Sequence, residues 1–312
     1  MKRGIAWLLG WRGAVALAVG LYLAWLAVQG LPDGRLHVYF LDVGQGDAIL
    51  IRTPEGQHWL IDGGPSPAAL LGELGEILPF WQRDLDLVAL THADDDHLAG
   101  LLALLPRYRV CRALATAWTG RDPAAASWRR AVAESGAEDI EARRGLQLIS
   151  AGVGLTVLHP DGDAPTTQTA EGGNNNRSLV LRLDYGQTSF LLAGDAEESA
   201  EAEMLAAHMP VQAEVLKVGH HGSATATSAR FLAAVAPRVA VIQVGAGNRF
   251  GHPAPAVLAR LAAIPTYRTD LNGRIEIVSD GQQMWIKTDQ TSARSASTSK
   301  ASEVASPAAS PW

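Results

Sequence analysis

One cysteine, Cys111, stands in the 312 residues, which excludes a disulfide framework and a zinc site built from thiolates. Positive charge is scarce as well. Lys and Arg number 26 against 32 Asp and Glu, a formal net charge of −6, so nucleic-acid binding through a bulk basic surface is excluded. Aromatic residues make up 6%. Trp7, Trp11, Trp25 and Trp312 lie in the end segments, and no basic stripe accompanies the remaining tryptophans, so composition gives no support to a base-stacking platform. No solenoid repeat is visible, and long apolar runs are confined to one place.

That place is the start of the chain. Ala14–Val28 reads AVALAVGLYLAWLAV without a charge and extends back through Ile5–Gly10, interrupted by Arg12. A bilayer core needs about 20 apolar helical residues. A transmembrane anchor over residues 1–34 is therefore expected, with Arg12 snorkelling to the cytoplasmic face. A cleaved signal peptide fits the basic start, but Ala24-Trp25-Leu26-Ala27 puts a large Trp where cleavage wants a small residue. Lys2, Arg3 and Arg12 precede the apolar run, which puts the body on the extracytoplasmic (periplasmic) side of an inner membrane. The far end, residues 289–312, is Ser/Ala/Thr-rich and lacks apolar periodicity, as a disordered tail does. Residues 1–35 carry a net +3 and the tail is neutral, so residues 36–288 hold −9. Such a domain either stays soluble by its charge or gathers cations.

The body, residues 35–288, reads as strands and helices in two similar batches. Leu36–Asp42, Ala48–Thr53, Trp59–Asp62 and Leu85–Leu90 predict strands, with helices at Pro67–Leu78, Leu98–Leu105 and Asp122–Ser135. The second batch has strands at Leu155–Leu158, Ser178–Asp184, Thr188–Leu192, Ala213–Val218 and Val239–Val244, then a closing pair at Arg274–Val278 and Gln283–Lys287. Helices are expected at Glu198–His208, Ser228–Ala234 and Ala256–Ala263.

The chemistry falls where those strands end. Thr91-His92-Ala93-Asp94-Asp95-Asp96-His97 places four potential ligands, His92, Asp94, Asp96 and His97, just past a buried strand. Imidazole and carboxylate suit Zn²⁺ and Mn²⁺. An acidic helix cap is the plainer alternative, and two histidines bracketing three aspartates count against it. Asp195 closes the apolar Leu191-Leu192-Ala193-Gly194. His220-His221-Gly222-Ser223 closes the next strand, after Lys217. Three ligand-bearing tips on successive strands point to one site at one edge of the fold.

HADDDH, LLAGD and HHGS together resemble the metallo-β-lactamase superfamily. In order, LHVYFLDVGQGDAILI, WLIDGG, LVALTHADDDHLAG, NNNRSLVLRL, FLLAGDAE and LKVGHHGS resemble the hydrolase domain of ComEC-type DNA-internalisation (competence) proteins, from Leu36 to Ile286. The resemblance implies an α+β architecture, an αββα sandwich of two mixed β-sheets, holding two divalent metal ions, Zn or Mn. By the same resemblance His92, Asp94 and Asp195 hold the first ion. Asp96, His97 and one histidine of HHGS, His221 in preference to His220, hold the second, and Asp195 bridges the two. Asp94 stands where the superfamily usually has histidine. His159 is the one histidine between the clusters, and Asn174-Asn175-Asn176-Arg177-Ser178 occupies the place where a further ligand is expected, leaving oxygen donors or water to complete the first ion. Such a donor set suits Mn²⁺ at least as well as Zn²⁺.

The implied chemistry is hydrolysis by a water activated at the metals, with Asp96 orienting it. Lys217, His220, Asn176 and Ser178 are candidates for contacting phosphate or the leaving oxygen, His252 for lying near the site, and Asp47 and Asp62 for bracing the ligands from behind. Lys217 as a plain exposed residue and Asn176 and Ser178 as turn caps are the alternatives. The VGQGD turn lacks the helix start of a P-loop, and His37, His58 and His208 are read as structural or surface residues. Three functions compete: a membrane-anchored phosphodiesterase (DNase) of the DNA-uptake type, a hydrolase of another phosphoester or small metabolite, and a metal-stabilised accessory domain docking onto a DNA channel. With one apolar span, the chain is expected to serve a separate channel or to work alone.

Overall fold

The computed structural model describes residues 11–21, 31–117, 122–150, 152–161 and 175–289. Residues 11–21 are helical, and no helix among the described residues is long and apolar enough to cross a membrane. The structure therefore lends the expected anchor no support; residues 1–10 and 22–30 of that segment, and the tail from residue 290, lie outside the described residues.

The first half supplies β1 (Leu36–Phe40), β2 (Ile49–Arg52), β3 (His58–Ile61), β4 (Asp84–Leu85), β5 (Leu87–Leu90), β6 (Arg109–Val110), β7 (Arg112–Thr116) and β8 (Glu138–Ala142). The second supplies β9 (Gln147–Ser150), β10 (Val153–His159), β11 (Val180–Tyr185), β12 (Thr188–Leu192), β13 (Val215–Lys217), β14 (Val239–Ile242), β15 (Thr266–Arg268), β16 (Ile275–Ser279) and β17 (Met284–Thr288). Helices α1 (Pro67–Ile77), α2 (Asp95–Leu104) and α3 (Pro123–Ser135) belong to the first half, and α4 (Glu198–Ala206), α5 (Ala229–Val235), α6 (Pro255–Arg260) and α7 (Thr269–Asn272) to the second. An 8-stranded sheet runs β17-β16-β1-β2-β3-β5-β7-β8 and a 7-stranded one β15-β14-β13-β12-β11-β10-β9.

Strand alternation explains the layering. Leu36, Val38 and Phe40 of β1 face inward and meet Leu181, Phe190 and Val215 from the second sheet. Tyr39 and Leu41 turn the other way, onto Leu70 and Leu74 of α1, Leu98 and Leu101 of α2 and Trp128 of α3. With both faces covered, a strand must be apolar throughout rather than alternating. The second sheet repeats this: Leu191, Leu216 and Ala240 pack under Met204 of α4, Phe231 of α5 and Val257 of α6. Each fully buried Leu, Val or Phe contributes roughly 1.5–3 kcal/mol. The result is the four-layered αββα sandwich the sequence implied.

In each sheet an antiparallel half gives way to a parallel one: β3, β5 and β7 run parallel, as do β12, β13 and β14. Their C-terminal ends open on one edge, where open α/β sheets put their sites. The sheets are tied together at that edge. Leu179 N–H donates to the Thr91 carbonyl at 2.9 Å, and buried Gln243 Nε2 donates to the carbonyls of Leu41 (3.1 Å) and Ala48 (2.8 Å).

Two differences from the sequence reading have physical reasons. Strands β6 to β9 have no counterpart in that reading; β8 is Glu-Asp-Ile-Glu-Ala and mostly exposed, an edge strand whose one paired side needs no alternating pattern. Helix α2 starts at Asp95, not Leu98, because Asp95 and Asp96 in its first turn complement the helix dipole.

Candidate metal centre

Each site residue sits where a strand stops. Asp62 follows β3, Thr91 and His92 follow β5, Asp195 follows β12, and the turn Gly219–Gly222 follows β13. Asp94 occupies the N-cap position of α2, yet its side chain makes no capping bond. Its carboxylate turns instead to within 3.5 Å of His92 Nε2, which answers the helix-cap alternative.

The centre is organised around one oxygen, Asp195 Oδ2. His97 Nε2 and His221 Nε2 each lie 3.4 Å from it, His220 Nε2 3.8 Å and His92 Nε2 3.9 Å. The opposite ring nitrogens are held in place. His97 Nδ1 donates to Asp62 Oδ2 at 2.8 Å, and His220 Nδ1 to Glu197 Oε1 at 3.0 Å. His221 Nδ1 is shared between the Gln243 carbonyl at 3.0 Å and Asp47 Oδ1 at 3.2 Å. His92 Nδ1 lies 3.1 Å from Thr91 Oγ1, which itself donates to Asp62. An imidazole whose Nδ1–H is fixed by a carboxylate or carbonyl presents its Nε2 lone pair outward, the arrangement metal-ligating histidines adopt.

Backbone strain builds this convergence. Successive side chains on extended backbone point to opposite sides, but His220 and His221 take φ of 45° and 51°, so both rings face the centre. Asp62, at φ 60°, is a third non-glycine residue in the left-handed region. Such conformations cost about 1–3 kcal/mol each and gather at functional sites. Close packing fixes the turns around them: a Cβ on Gly222 (φ 82°) would lie 2.6 Å from Pro253 Cβ, and one on Gly46 would lie 2.2 Å from the Asp96 carbonyl. The VGQGD hairpin thus rests its backbone against the ligand-bearing helix, and Asp47 N–H donates to that carbonyl at 3.2 Å.

The donor set fits divalent ions. Asp96, His97, Asp195 and His221 offer ligand atoms that all lie within 4.8 Å of one another. His92 Nε2, His97 Nε2, His221 Nε2 and Asp195 Oδ1 are buried and have no hydrogen-bond partner, although buried polar atoms are nearly always paired. Aspartate and imidazole donors suit Zn²⁺, Mn²⁺ or iron. Charge balance agrees. Burial pushes the His97 and His221 imidazoles down, but Asp195 together with Asp62 or Asp47 outweighs it and holds both well above the ordinary range. Burial pushes Asp195 up, and His221 and His97 hold it well below the usual carboxylate range. Asp47, raised by burial and lowered more by Lys217 and His221, lies at about 2. Asp96, raised by burial, is lowered more by the His221 and His97 imidazoles beside it. The carboxylates therefore stay ionised and demand cations.

Of the residues singled out from sequence, His92, Asp94, Asp96, His97, Asp195 and His221 all gather here, and His220 joins them instead of competing with His221. Lys217 is fully buried, which removes the exposed-lysine alternative. Its ammonium pairs with Asp47, donates to the Gly194 carbonyl at 2.9 Å and lies 3.8 Å from Asp195 Oδ1. It sits beneath the cluster, not at its mouth. Ser178 is buried too, and its Oγ accepts from Asp195 N–H at 3.2 Å. Asn176 Oδ1 accepts from Glu197 and Ala200 N–H at the start of α4, as the capping alternative had it. His252 stacks edge-on against His220, ring centroids 5.4 Å apart. His159 bonds the Ser178 carbonyl and Glu203, so it backs the site without entering it. Asp47 and Asp62 brace ligand histidines as expected. Asn175, from the asparagine run that stands where a further ligand was expected, lines the cleft with Nδ2 3.4 Å from His220 Nδ1; Glu197 was not among the sequence candidates. Their signal, an asparagine run and a GDAEE segment, is ordinary turn composition.

Comparison with known proteins bears on the same residues. The family model described as Metallo-beta-lactamase superfamily matches residues 41–245. The chain is 33% identical over 258 residues to ComE operon protein 3 of Bacillus subtilis, covering 77% of this chain and 32% of that protein. It is 30% identical over 254 residues to Competence protein ComA of Neisseria gonorrhoeae, covering 80% and 33%. The chain thus spans about a third of the length of these curated relatives. Among solved structures, the metallo-beta-lactamase fold protein YhfI from Bacillus subtilis superposes with a TM-score of 0.52 at 12% identity, covering 81% of this chain and all of that one; that likeness concerns the fold alone.

Proposed function

Since the chain belongs to the metallo-β-lactamase superfamily, we propose that it is a metal-dependent phosphodiesterase that cleaves DNA on the extracytoplasmic side of a membrane, held there by its N-terminal segment and serving a DNA channel. The observation that carries the hydrolase reading is the convergence of four imidazole Nε2 atoms on Asp195 Oδ2. Support for DNA comes from the relatives, one of which is named Competence protein ComA.

His92, Asp94, His220 and Asp195 would hold one divalent ion, and Asp96, His97, His221 and Asp195 the other. Bound there, the ions supply Lewis-acid activation of water near neutral pH and neutralise charge on a phosphoryl group. The protein does the rest. Asp62, Asp47, Glu197 and Thr91 fix the ring orientations and aim each Nε2 at the centre, where a bound ion would take the place of its proton. Asp96, whose side chain is a third exposed, faces the cleft and orients the attacking water. Ser178 Oγ, accepting from the Asp195 N–H, and the Lys217 ammonium, 3.8 Å from Asp195 Oδ1, would keep Asp195 in place beneath the ions it would help to hold.

The test is cleavage by the purified chain with Mn²⁺ or Zn²⁺, offered single- and double-stranded DNA beside a small phosphodiester. DNA cleavage is expected, and Asp96→Ala should lower kcat by about 10²-fold or more, the scale of losing a positioned proton-handling group. Turnover of the small ester alone contradicts the DNA reading; metal-loaded protein that hydrolyses nothing contradicts the hydrolase reading.

A further inference from the structure

A cleft of about 450 Å³ opens above the cluster, and its walls differ. Asp94, Asp95 and Asp96 line it on one side, whereas Arg249 and Phe250 line it from the loop after β14. Phe250 is 55% exposed, a large apolar ring left in water at the mouth of the cleft. The Arg249 guanidinium sits 5.1 Å over that ring, so the two side chains form one cationic aromatic surface.

The loop that carries them is built to hold them there. Asn248 Oδ1 accepts from the N–H of Phe250 (3.2 Å) and of His252 (3.1 Å), while its Nδ2 donates to the carbonyls of Gly245 (3.0 Å) and His252 (2.7 Å). Gly245 N–H in turn donates to Gln45 Oε1 at 3.1 Å, anchoring the loop to the hairpin beside Asp96. A ladder of rings leads from the centre to the rim: His220 to His252 at 5.4 Å, then His252 to Phe250 at 5.9 Å. A single asparagine stapling four backbone groups leaves little freedom for this rim to collapse. The exposed ring is therefore presented, not merely left over.

We propose that Arg249 and Phe250 form a stacking platform for an unpaired nucleobase next to the scissile phosphate, which makes single-stranded nucleic acid the substrate class of this centre. The proposal rests on the phosphodiesterase reading above. Rings and guanidinium planes stack on bases of any sequence. Bases in a duplex are already stacked and paired, so they cannot lie flat on this surface. Arg249 also brings positive charge to a cleft whose aspartates would otherwise repel the phosphates flanking the metal centre.

The test uses the full Mn²⁺-loaded chain in an Asp96→Ala background, with binding followed by fluorescence anisotropy of labelled oligo-dT and of an abasic strand of equal length. Oligo-dT should bind about tenfold more tightly, the scale of one base–aromatic stack. Phe250→Ala should erase that preference and Phe250→Trp restore it, while Arg249→Gln weakens both strands, oligo-dT the more because it loses a stacking plane as well as a charge. Equal binding of the two strands before any change at Phe250 overturns the platform, as does a Phe250→Ala chain that loses both equally. Cleavage by the unaltered chain separates the two readings. Cleavage without a base preference sinks the platform alone; a base preference in a chain that cleaves no phosphodiester sinks the phosphodiesterase reading and upholds the platform.

Discussion

Asp195→Asn is expected to strip the protein of bound metal and to lower phosphodiester hydrolysis by at least about 10²–10³-fold, the scale set by deleting one group that stabilises transition-state charge. The substitution keeps the shape of the side chain, so packing stays intact. What it removes is the negative oxygen on which His92, His97, His220 and His221 converge at 3.4–3.9 Å. Neither ion would then have its shared ligand, and metal content after dialysis should fall below one ion per chain. An Asp195→Asn protein that keeps two ions and full turnover would show that the convergence is a structural ion cluster and nothing more.

Lys217→Met has the second large effect, and it falls on stability. Lys217 is fully buried, and its ammonium is the countercharge to Asp47. Methionine matches its length but leaves Asp47 ionised in a low-dielectric interior with the His221 and His97 imidazoles as its remaining cationic neighbours. Breaking a buried ion pair from one side costs about 3–5 kcal/mol. At about 2–4 °C per kcal/mol for a domain of this size, Tm should drop by about 6–20 °C. Removing both partners together, Lys217→Met with Asp47→Leu, should recover much of that loss, because no charge is then stranded. Metal affinity should stay low in the double variant, since His221 has lost its carboxylate. A lysine that instead contacted substrate would give a different signature: unchanged Tm and a raised KM.

The sequence carried the ligands better than it carried their geometry. His92, Asp94, Asp96, His97 and Asp195 could be picked out because metal-binding side chains follow closely on apolar runs such as Leu87–Leu90 and Phe190–Ala193. Burial makes such side chains costly unless something compensates them. His220 and His221 could not be told apart in the same way. Alternation along a strand allows one of two neighbours to face a site, and only the left-handed backbone at both residues turns the pair inward. Lys217 was legible as a residue and not as a role: nothing in LKVGHHGS says that its ammonium ends beneath Asp195, because Asp47 arrives from the other sheet. Edge strands β8 and β9 were missed for the opposite reason, being too polar and too exposed to leave a pattern. The acidic balance takes on a sharper meaning here. The excess carboxylates that argue against bulk DNA binding include the candidate cation ligands, and on the proposed reading the positive charge for phosphate would come from bound ions and Arg249.

The most direct measurement is a titration of the metal-free chain with Mn²⁺ while hydrolysis of a phosphodiester is monitored. Two ions sharing Asp195 predict turnover that climbs to a plateau at about two equivalents and vanishes on chelation. Saturation of the site with no turnover at any ratio, or turnover that persists unchanged in excess chelator, would contradict the account.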